Sequence, residues 1–403
     1  MITLSRNNRT ANVEHLTDDT IQFYCKLEDD NAIKDYLKGG RCLRFTGIKS
    51  SEWNEVSLRE GVTVYIIDVD YWPASQGNRI SYAGGEKKSG VTSHNSSAWF
   101  LLEFTPGKGR NYYYAAFGSP SEDKPTMGAV VWHRDPIHGP TLPEPPQVKT
   151  LSFNSSGEYS LHSFHVGQGM AALIDNGHSG IMLDAGAGCP IRRVSYPDLA
   201  TNDFRDLVCA LDEVIMILSH PDLDHWRLMQ WDSTLADNVD IICVPTQTKQ
   251  LVFSDKSVNE KIRVFTGTLI TLNSNTSLDV FRSKPIHSDQ NGECQVCTFH
   301  KGQHTVLIPG DYVYERINQD KNTHISNLLN TSYTAIIVPH HGDLASGNQV
   351  FTPKTPESIA FFSAGTHRGY NHPNPLSLDA HKTKGFKLIS NRDETDILKV
   401  KLC

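Results

Sequence analysis

Five apolar residues, Val214 to Leu218, run directly into Ser219-His220-Pro221-Asp222-Leu223-Asp224-His225. An apolar run this short, bounded by a Ser and a Pro, reads as a buried strand rather than a helix. The loop leaving the carboxyl end of such a strand is where open α/β sheets gather their ligands. This loop packs two imidazoles and two carboxylates, His220, Asp222, Asp224 and His225, into six consecutive positions. Unpartnered, they would crowd charge beside a core, and one or two divalent cations would neutralise it. The competing reading is an acidic surface turn with two incidental histidines.

The rest of the chain supplies matching parts. Thr305-Val306-Leu307-Ile308-Pro309-Gly310-Asp311 is a second apolar strand, ending in Gly-Asp, and Ala335-Ile336-Ile337-Val338-Pro339-His340-His341-Gly342 is a third, ending in a His pair. Tyr370-Asn371-His372-Pro373 follows the apolar Ile359-Ala360-Phe361-Phe362. Strands that each end in His or Asp describe one site at one edge of a sheet or sheet pair.

As a set, Val166-Gly167-Gln168-Gly169, Leu183-Asp184-Ala185-Gly186, Ser219 to His225, Pro309-Gly310-Asp311, Pro339 to Gly342 and Asn371-His372-Pro373 resemble the metallo-β-lactamase fold. Within it they resemble the ComEC-type hydrolase domains of bacterial competence proteins, which commonly carry Asp at the position of Asp222. The resemblance covers roughly residues 155 to 403 and implies an α/β chain: a metallo-β-lactamase αββα sandwich preceded by a small β-rich N-terminal domain. Three departures stand out. Met170 occupies a position usually held by Asp, and Trp226-Arg227 stands where two glycines usually follow the metal block. A further His common in the family has no secure counterpart, His287 being nearest by position. The helix after the site is therefore expected to pack differently, with Trp226 partly walling the pocket.

By this resemblance, His220 and Asp222 would hold one ion, Asp224, His225 and His341 the other, and Asp311 would bridge them. Asp184 would orient a ligand without being one. Imidazoles and carboxylates in roughly equal number suit Zn²⁺, and a carboxylate-rich site also suits Mn²⁺, so the expected cofactors are two divalent ions of either kind. Such a pair, about 3.5–4 Å apart, can hold a hydroxide at neutral pH and clamp the attacking and leaving oxygens of an in-line displacement. The candidate catalytic residues are Asp224, His340 and His372. Either His could donate to a phosphoryl oxygen or protonate a leaving alkoxide. His372, on a loop shaped by Gly369 and Pro373, is the better general-acid candidate, with a loop-capping role as its alternative. Adjacent histidines are not separable by sequence, so His340 could be the ligand and His341 the helper.

The expected function is a dinuclear-metal-dependent hydrolase, a phosphodiesterase or nuclease acting on nucleic acid, single-stranded DNA favoured. Two alternatives stay open. One is a hydrolase of cyclic or small nucleotides; the other is a regulatory or partner-binding protein whose site is slaved to the N-terminal domain. The net charge of −7 provides no global basic footprint for duplex nucleic acid. No stretch approaches the roughly 18 apolar residues a bilayer requires, and Met1 to Arg9 lack a signal-peptide core. The expectation is a cytoplasmic protein with no membrane part and a possible protein partner for the N-terminal domain.

The chain of 403 residues is long enough for two domains. Five prolines fall in the twelve residues from Asp135 to Pro146, a stiff stretch unsuited to a sheet. The expected division is therefore residues 1–134, a linker 135–150 and a hydrolase domain 151–403. The first part mixes a helix over 30–37 with strands at 62–69, 98–104, 111–117 and 129–133, separated by turns at 83–86 and 93–97. Asp68 and Asp70 share a strand face that could bind a cation but is more commonly a solvated edge. Trp99, Tyr112, Tyr113 and Tyr114 could stack bases but are more commonly core or cross-strand pairs. The eight cysteines suit reduced core thiols; Cys294 and Cys297, three apart on a strand, face opposite ways and would chelate poorly. His162, His165, His178, His300, His304, His367 and His381 show no ligand spacing.

Overall fold

The computed structural model describes residues 20–27, 42–52, 62–70, 99–115, 126–137, 145–153, 157–245, 256–286, 294–365, 372–390 and 395–402. The expected helix at 30–37, the turns at 83–86 and 93–97, His287, His367, Asn371 and residues 138–144 lie outside them. The chain divides into two compact units, Met1–Pro143 with Val252–Asn259, and Glu144–Leu251 with Glu260–Cys403. The division thus falls inside the proline-rich stretch, and a short later segment joins the first unit. No helix among the described residues is long and apolar enough to cross a membrane.

The first unit holds β1 (Ile21–Leu27), β2 (Cys42–Lys49), β3 (Tyr65–Asp70), β4 (Trp99–Ala115) and β5 (Thr126–Ile137). All pair antiparallel in that order, and β1 also pairs with β4, so β1 to β4 close into a ring. Phe23, Phe45, Ile67, Leu102 and Phe104 fill it. Two expected strands are one: β4 is continuous, its pairing with β5 interrupted by a register shift between Pro106 and Asn111. Pro106 and Gly107 bend the strand without ending it, a bulge in effect. A second difference concerns the linker, because β5 runs through Asp135-Pro136-Ile137. Among the described strands it pairs with β4 alone, and an edge strand tolerates a residue lacking an N–H. Asp68 is buried, because β3 lies between β2 and β4, opposite Arg44 and Tyr112. Tyr113 packs on Phe23 and Phe104 (ring centroids 5.0 and 4.8 Å), whereas Tyr112 and Tyr114 stack on each other on the other face.

The second unit is an αββα sandwich. Its first sheet contains β6 (Gln147–Val148), β7 (Ser160–His165), β8 (Ala171–Asp175), β9 (Ser179–Ala185), β10 (Glu213–Ile217), β11 (Ile241–Val244) and β12 (Ile262–Phe265). Its second contains β13 (Leu269–Asn273), β14 (Thr276–Arg282), β15 (Gln295–Lys301) and β16 (His304–Ile308). A separate two-stranded pair is β17 (Ser332–Tyr333) with β19 (Thr352–Pro353). The second sheet is completed by β18 (Ala335–Ile337), β20 (Ile359–Phe362) and β21 (Lys387–Ser390), and the first by β22 (Leu398–Lys401).

Apolar residues of both sheets, among them Ile174, Ile215, Ile217, Val280, Phe299, Val306 and Ile337, share one core. The alternate residues Val296, Leu307 and Ile336 face an outer cluster with Tyr314, Ile317 and Phe386. Strands buried on both faces read as continuous apolar runs, which is why β10, β16 and β18 are so plain in the sequence. On the first sheet's outer side, Phe204 of the helix Asp203–Cys209 meets Phe164 of β7 edge to face at 4.9 Å. Cys297 lies in the inter-sheet core and Cys294 in the outer cluster, so the pair does face opposite ways. Strands β9, β10 and β11 are mutually parallel, as are β16, β18, β20 and β21, and the functional loops leave their carboxyl ends.

Candidate metal centre

The ligand loop begins where β10 ends. Asp184, at the end of the adjacent β9, accepts from the Ser219 backbone N–H (2.6 Å), from Ser219 Oγ (2.7 Å) and from His225 Nδ1 (2.7 Å). Its backbone is left-handed (φ 60°), an unusual state for a residue with a Cβ. Ser219 Oγ, which donates its hydrogen bond to Asp184, accepts from His220 Nδ1 at 3.1 Å. One carboxylate thereby sets both imidazoles of the loop, with Nδ1 protonated and Nε2 carrying the lone pair. Trp226, expected at a pocket wall, is buried, and its indole N–H donates to the Pro221 carbonyl (2.9 Å), bracing the loop.

Asp311 is the hub. Its Oδ1 lies 3.1 Å from His225 Nε2 and 3.8 Å from His341 Nε2; its Oδ2 lies 3.6 Å from His220 Nε2 and 3.7 Å from His340 Nε2. Asp222 approaches His220 Nε2 at 3.4 Å, and Asp224 approaches His341 Nε2 at 3.3 Å. A tetrahedral ion with ligand bonds of about 2.0–2.2 Å spaces its ligand atoms about 3.3–3.6 Å apart. The separations cluster around that edge. Moreover, His220 Nε2, His225 Nε2, His341 Nε2 and Asp311 Oδ1 are buried with no hydrogen-bond partner. Buried polar atoms are ordinarily paired, and four such atoms converging around one carboxylate suit cations. The chemistry of the donor set and its spacing therefore fit metal binding. Among the described residues, two triads bring one ligand atom each within 4.8 Å of one another, His220 with His225 and Asp311, and Asp224 with His225 and His341.

Electrostatics agree. Burial would raise Asp224 and Asp311, but the neighbouring imidazoles, His341 foremost for Asp224 and His225 for Asp311, outweigh it and hold both carboxyls below the ordinary range. Burial would lower His225, but Asp311 and Asp184 outweigh it and raise that imidazole well above its usual value. Protons occupy the place that cations would take.

The backbone explains how adjacent histidines share the hub. His340 (φ 47°), His341 (φ 53°) and Gly342 (φ 75°) are three consecutive left-handed residues. Each non-glycine in that region costs about 1–2 kcal/mol. Gly310, with φ 60°, brings Asp311 beside Ser219, and a Cβ there would lie 2.6 Å from the Ser219 side chain.

His372 completes the cluster, its ring 5.6 Å from that of His340 and 6.3 Å from that of His341. The side-chain amide of Gln168 donates to its Nδ1 at 3.0 Å, so the ring proton resides on Nε2. Burial first, then His340 and His341, push this imidazole down to about 3. That favours the neutral ring, a hydrogen-bond donor through Nε2, at physiological pH.

All eight expected site residues come together. Five partners escaped sequence reasoning: Ser219 and Gln168, Asp343 and Ser346 beside His340, and Ser363, whose carbonyl accepts from His341 Nδ1 at 3.1 Å. Two had a usable signal: Ser363 directly follows the apolar run Ile359 to Phe362, and Gln168 lies in the motif Val166-Gly167-Gln168-Gly169. His381 is structural: its Nδ1 donates to the Ser377 carbonyl (2.7 Å) and its Nε2 accepts from Tyr314 (2.9 Å).

No family model and no curated protein matches the chain. Solved structures do. The metallo-beta-lactamase fold protein YhfI from Bacillus subtilis is 10% identical with a TM-score of 0.36, covering 60% of this chain and 100% of that one. Human tRNase Z, short form, is 10% identical with a TM-score of 0.35, covering 60% and 99%. Zn²⁺-bound PqqB from Methylobacterium extorquens is 11% identical with a TM-score of 0.31, covering 57% and 86%.

Proposed function

We propose that this chain is a dinuclear-metal-dependent hydrolase of phosphodiesters that acts on nucleic acid, single-stranded DNA being favoured. The observation that carries the reading is the convergence of orphaned, buried imidazole nitrogens on the two oxygens of Asp311 at tetrahedral-edge spacing. When bound, two divalent ions would supply Lewis acidity toward a phosphoryl oxygen and lower the pKa of water at the site.

Two divalent cations held by Asp222, Asp224 and Asp311 would offset the charge of those carboxylates and polarise an anionic phosphoryl oxygen brought to them. His372, its ring beside those of His340 and His341, would carry an Nε2–H suited to a non-bridging oxygen whose charge grows in the transition state. Asp224 fixes His341 and completes the donor set on its side. A chain of net charge −7 suits a single strand reached through a local site better than a tightly held duplex. In the same reading the protein is cytoplasmic, and its first unit selects targets or a protein partner.

The test is cleavage of end-labelled single-stranded DNA by metal-free protein titrated with Mn²⁺ or Zn²⁺, with Asp224→Ala as control. Metal-dependent cutting lost in the variant is the expected result. No cutting with two ions bound would overturn the DNA assignment and direct the search to cyclic or small nucleotides.

A further inference from the structure

Hydrogen-bond polarity at Nδ1 sorts the five histidines of the centre. In His220, His225 and His341, Nδ1 faces an acceptor: Ser219 Oγ, Asp184 and the Ser363 carbonyl. In His372 it faces a donor, the Gln168 amide. His340 falls with the first three, since its Nδ1 lies 3.0 Å from the Asp343 carboxylate. That carboxylate is itself held by the Ser346 N–H (2.7 Å) and Oγ (2.6 Å). An imidazole whose Nδ1–H is spent on a carboxylate offers its Nε2 lone pair elsewhere, as metal-ligating histidines do. Here Nε2 points at Asp311 Oδ2, on the same side as His220 and Asp222.

Without His340, that side has one imidazole against two on the other. Two adjacent residues of an extended strand would point to opposite faces. The left-handed run at His340 and His341 instead sends both Nε2 atoms to the two oxygens of Asp311. Strain of this size at consecutive non-glycine residues persists only where the surroundings impose it.

We propose that His340 is a ligand of the ion beside Asp222, and that Asp343 is its positioning residue. The assignment rests on the dinuclear reading above. Each ion then receives two imidazoles and one carboxylate of its own, His220, His340 and Asp222 on one side, His225, His341 and Asp224 on the other, and Asp311 serves both.

Crystals of His340→Ala, Asp343→Ala and His372→Ala soaked in Mn²⁺, with anomalous scattering, test this directly, paired with calorimetric Mn²⁺ titration of metal-free protein. The expected result is two peaks in wild type and His372→Ala, and loss of the Asp222-side peak alone in His340→Ala, restored in solution by free imidazole. Asp343→Ala should weaken that ion about 10–100-fold and leave the other unchanged. Should His340→Ala not fold, the Asp343→Ala isotherm decides. Wild type holding two ions, with neither variant altering either, overturns the assignment alone. Wild type holding fewer than two overturns the dinuclear reading with it.

Discussion

On the proposed two-ion reading, Asp184→Asn, which exchanges one oxygen for an NH₂, should disable His225 as a ligand. The Ser219 backbone N–H sits 2.6 Å from Oδ1, so the asparagine must keep its oxygen there. Its NH₂ then occupies the Oδ2 position, 2.7 Å from both Ser219 Oγ and His225 Nδ1. An NH₂ only donates, so His225 Nδ1 must become an acceptor and its proton must move to Nε2. Nε2 is the atom facing Asp311 at 3.1 Å, and a protonated nitrogen cannot ligate. Restoring the productive tautomer leaves two N–H groups opposed in a buried site, a loss of about 1–3 kcal/mol. By the energy scale of tenfold per 1.4 kcal/mol, the ion served by His225 should bind about 10–100-fold more weakly. Calorimetric titration of metal-free protein with Mn²⁺ measures it, alongside Asp184→Ala, which removes the forced donor and should cost less selectivity between the two ions. An Asp184→Asn protein binding both ions with wild-type affinity would refute the tautomer reasoning.

Further outcomes follow from the same geometry. Asp224→Ala should abolish turnover without unfolding the first unit, to be checked by activity together with hydrogen exchange over β1 to β4. Gly310→Ala combines a left-handed backbone with a Cβ placed 2.6 Å from Ser219. It should cost about 2–4 kcal/mol, read as a shift in urea midpoint, and an unchanged midpoint would count against the close approach. His381 is buried, and burial outweighs its bond to Ser377 to push its pKa down from 6.5 to about 4. The unfolded chain therefore takes up that proton below about pH 6.5 while the folded chain does not. Stability should fall as pH drops through this window, by about 3 kcal/mol in total for this group. Urea unfolding at pH 7 and 4.5 should show a smaller loss in His381→Gln than in wild type.

Much of the site was legible because its ligands are local to strand ends. The runs ending in His220, Asp311 and His341 announce both burial and chemistry, since a strand covered on both faces has no polar alternation to blur its end. The first unit was less readable. Proline and glycine at 106 and 107 look like a turn, yet the β5 partner carries β4 through them. Pro136 looks like a linker, yet it lies on an edge that needs no N–H from it.

By itself, the sequence determined which side chains could bind cations, the strand ends that carry them, and the alternation that buries one face of Cys297 and the other of Cys294. It did not determine which nitrogen of each imidazole is free. That was decided by partners remote in sequence, Asp184 for His225, Ser363 for His341 and Gln168 for His372, and by a left-handed run that packing imposes on His340 and His341. The physical reason is that residue type sets what a group can donate or accept. Only the folded surroundings fix the direction of the proton, and at this centre that direction separates a ligand from a hydrogen-bond donor.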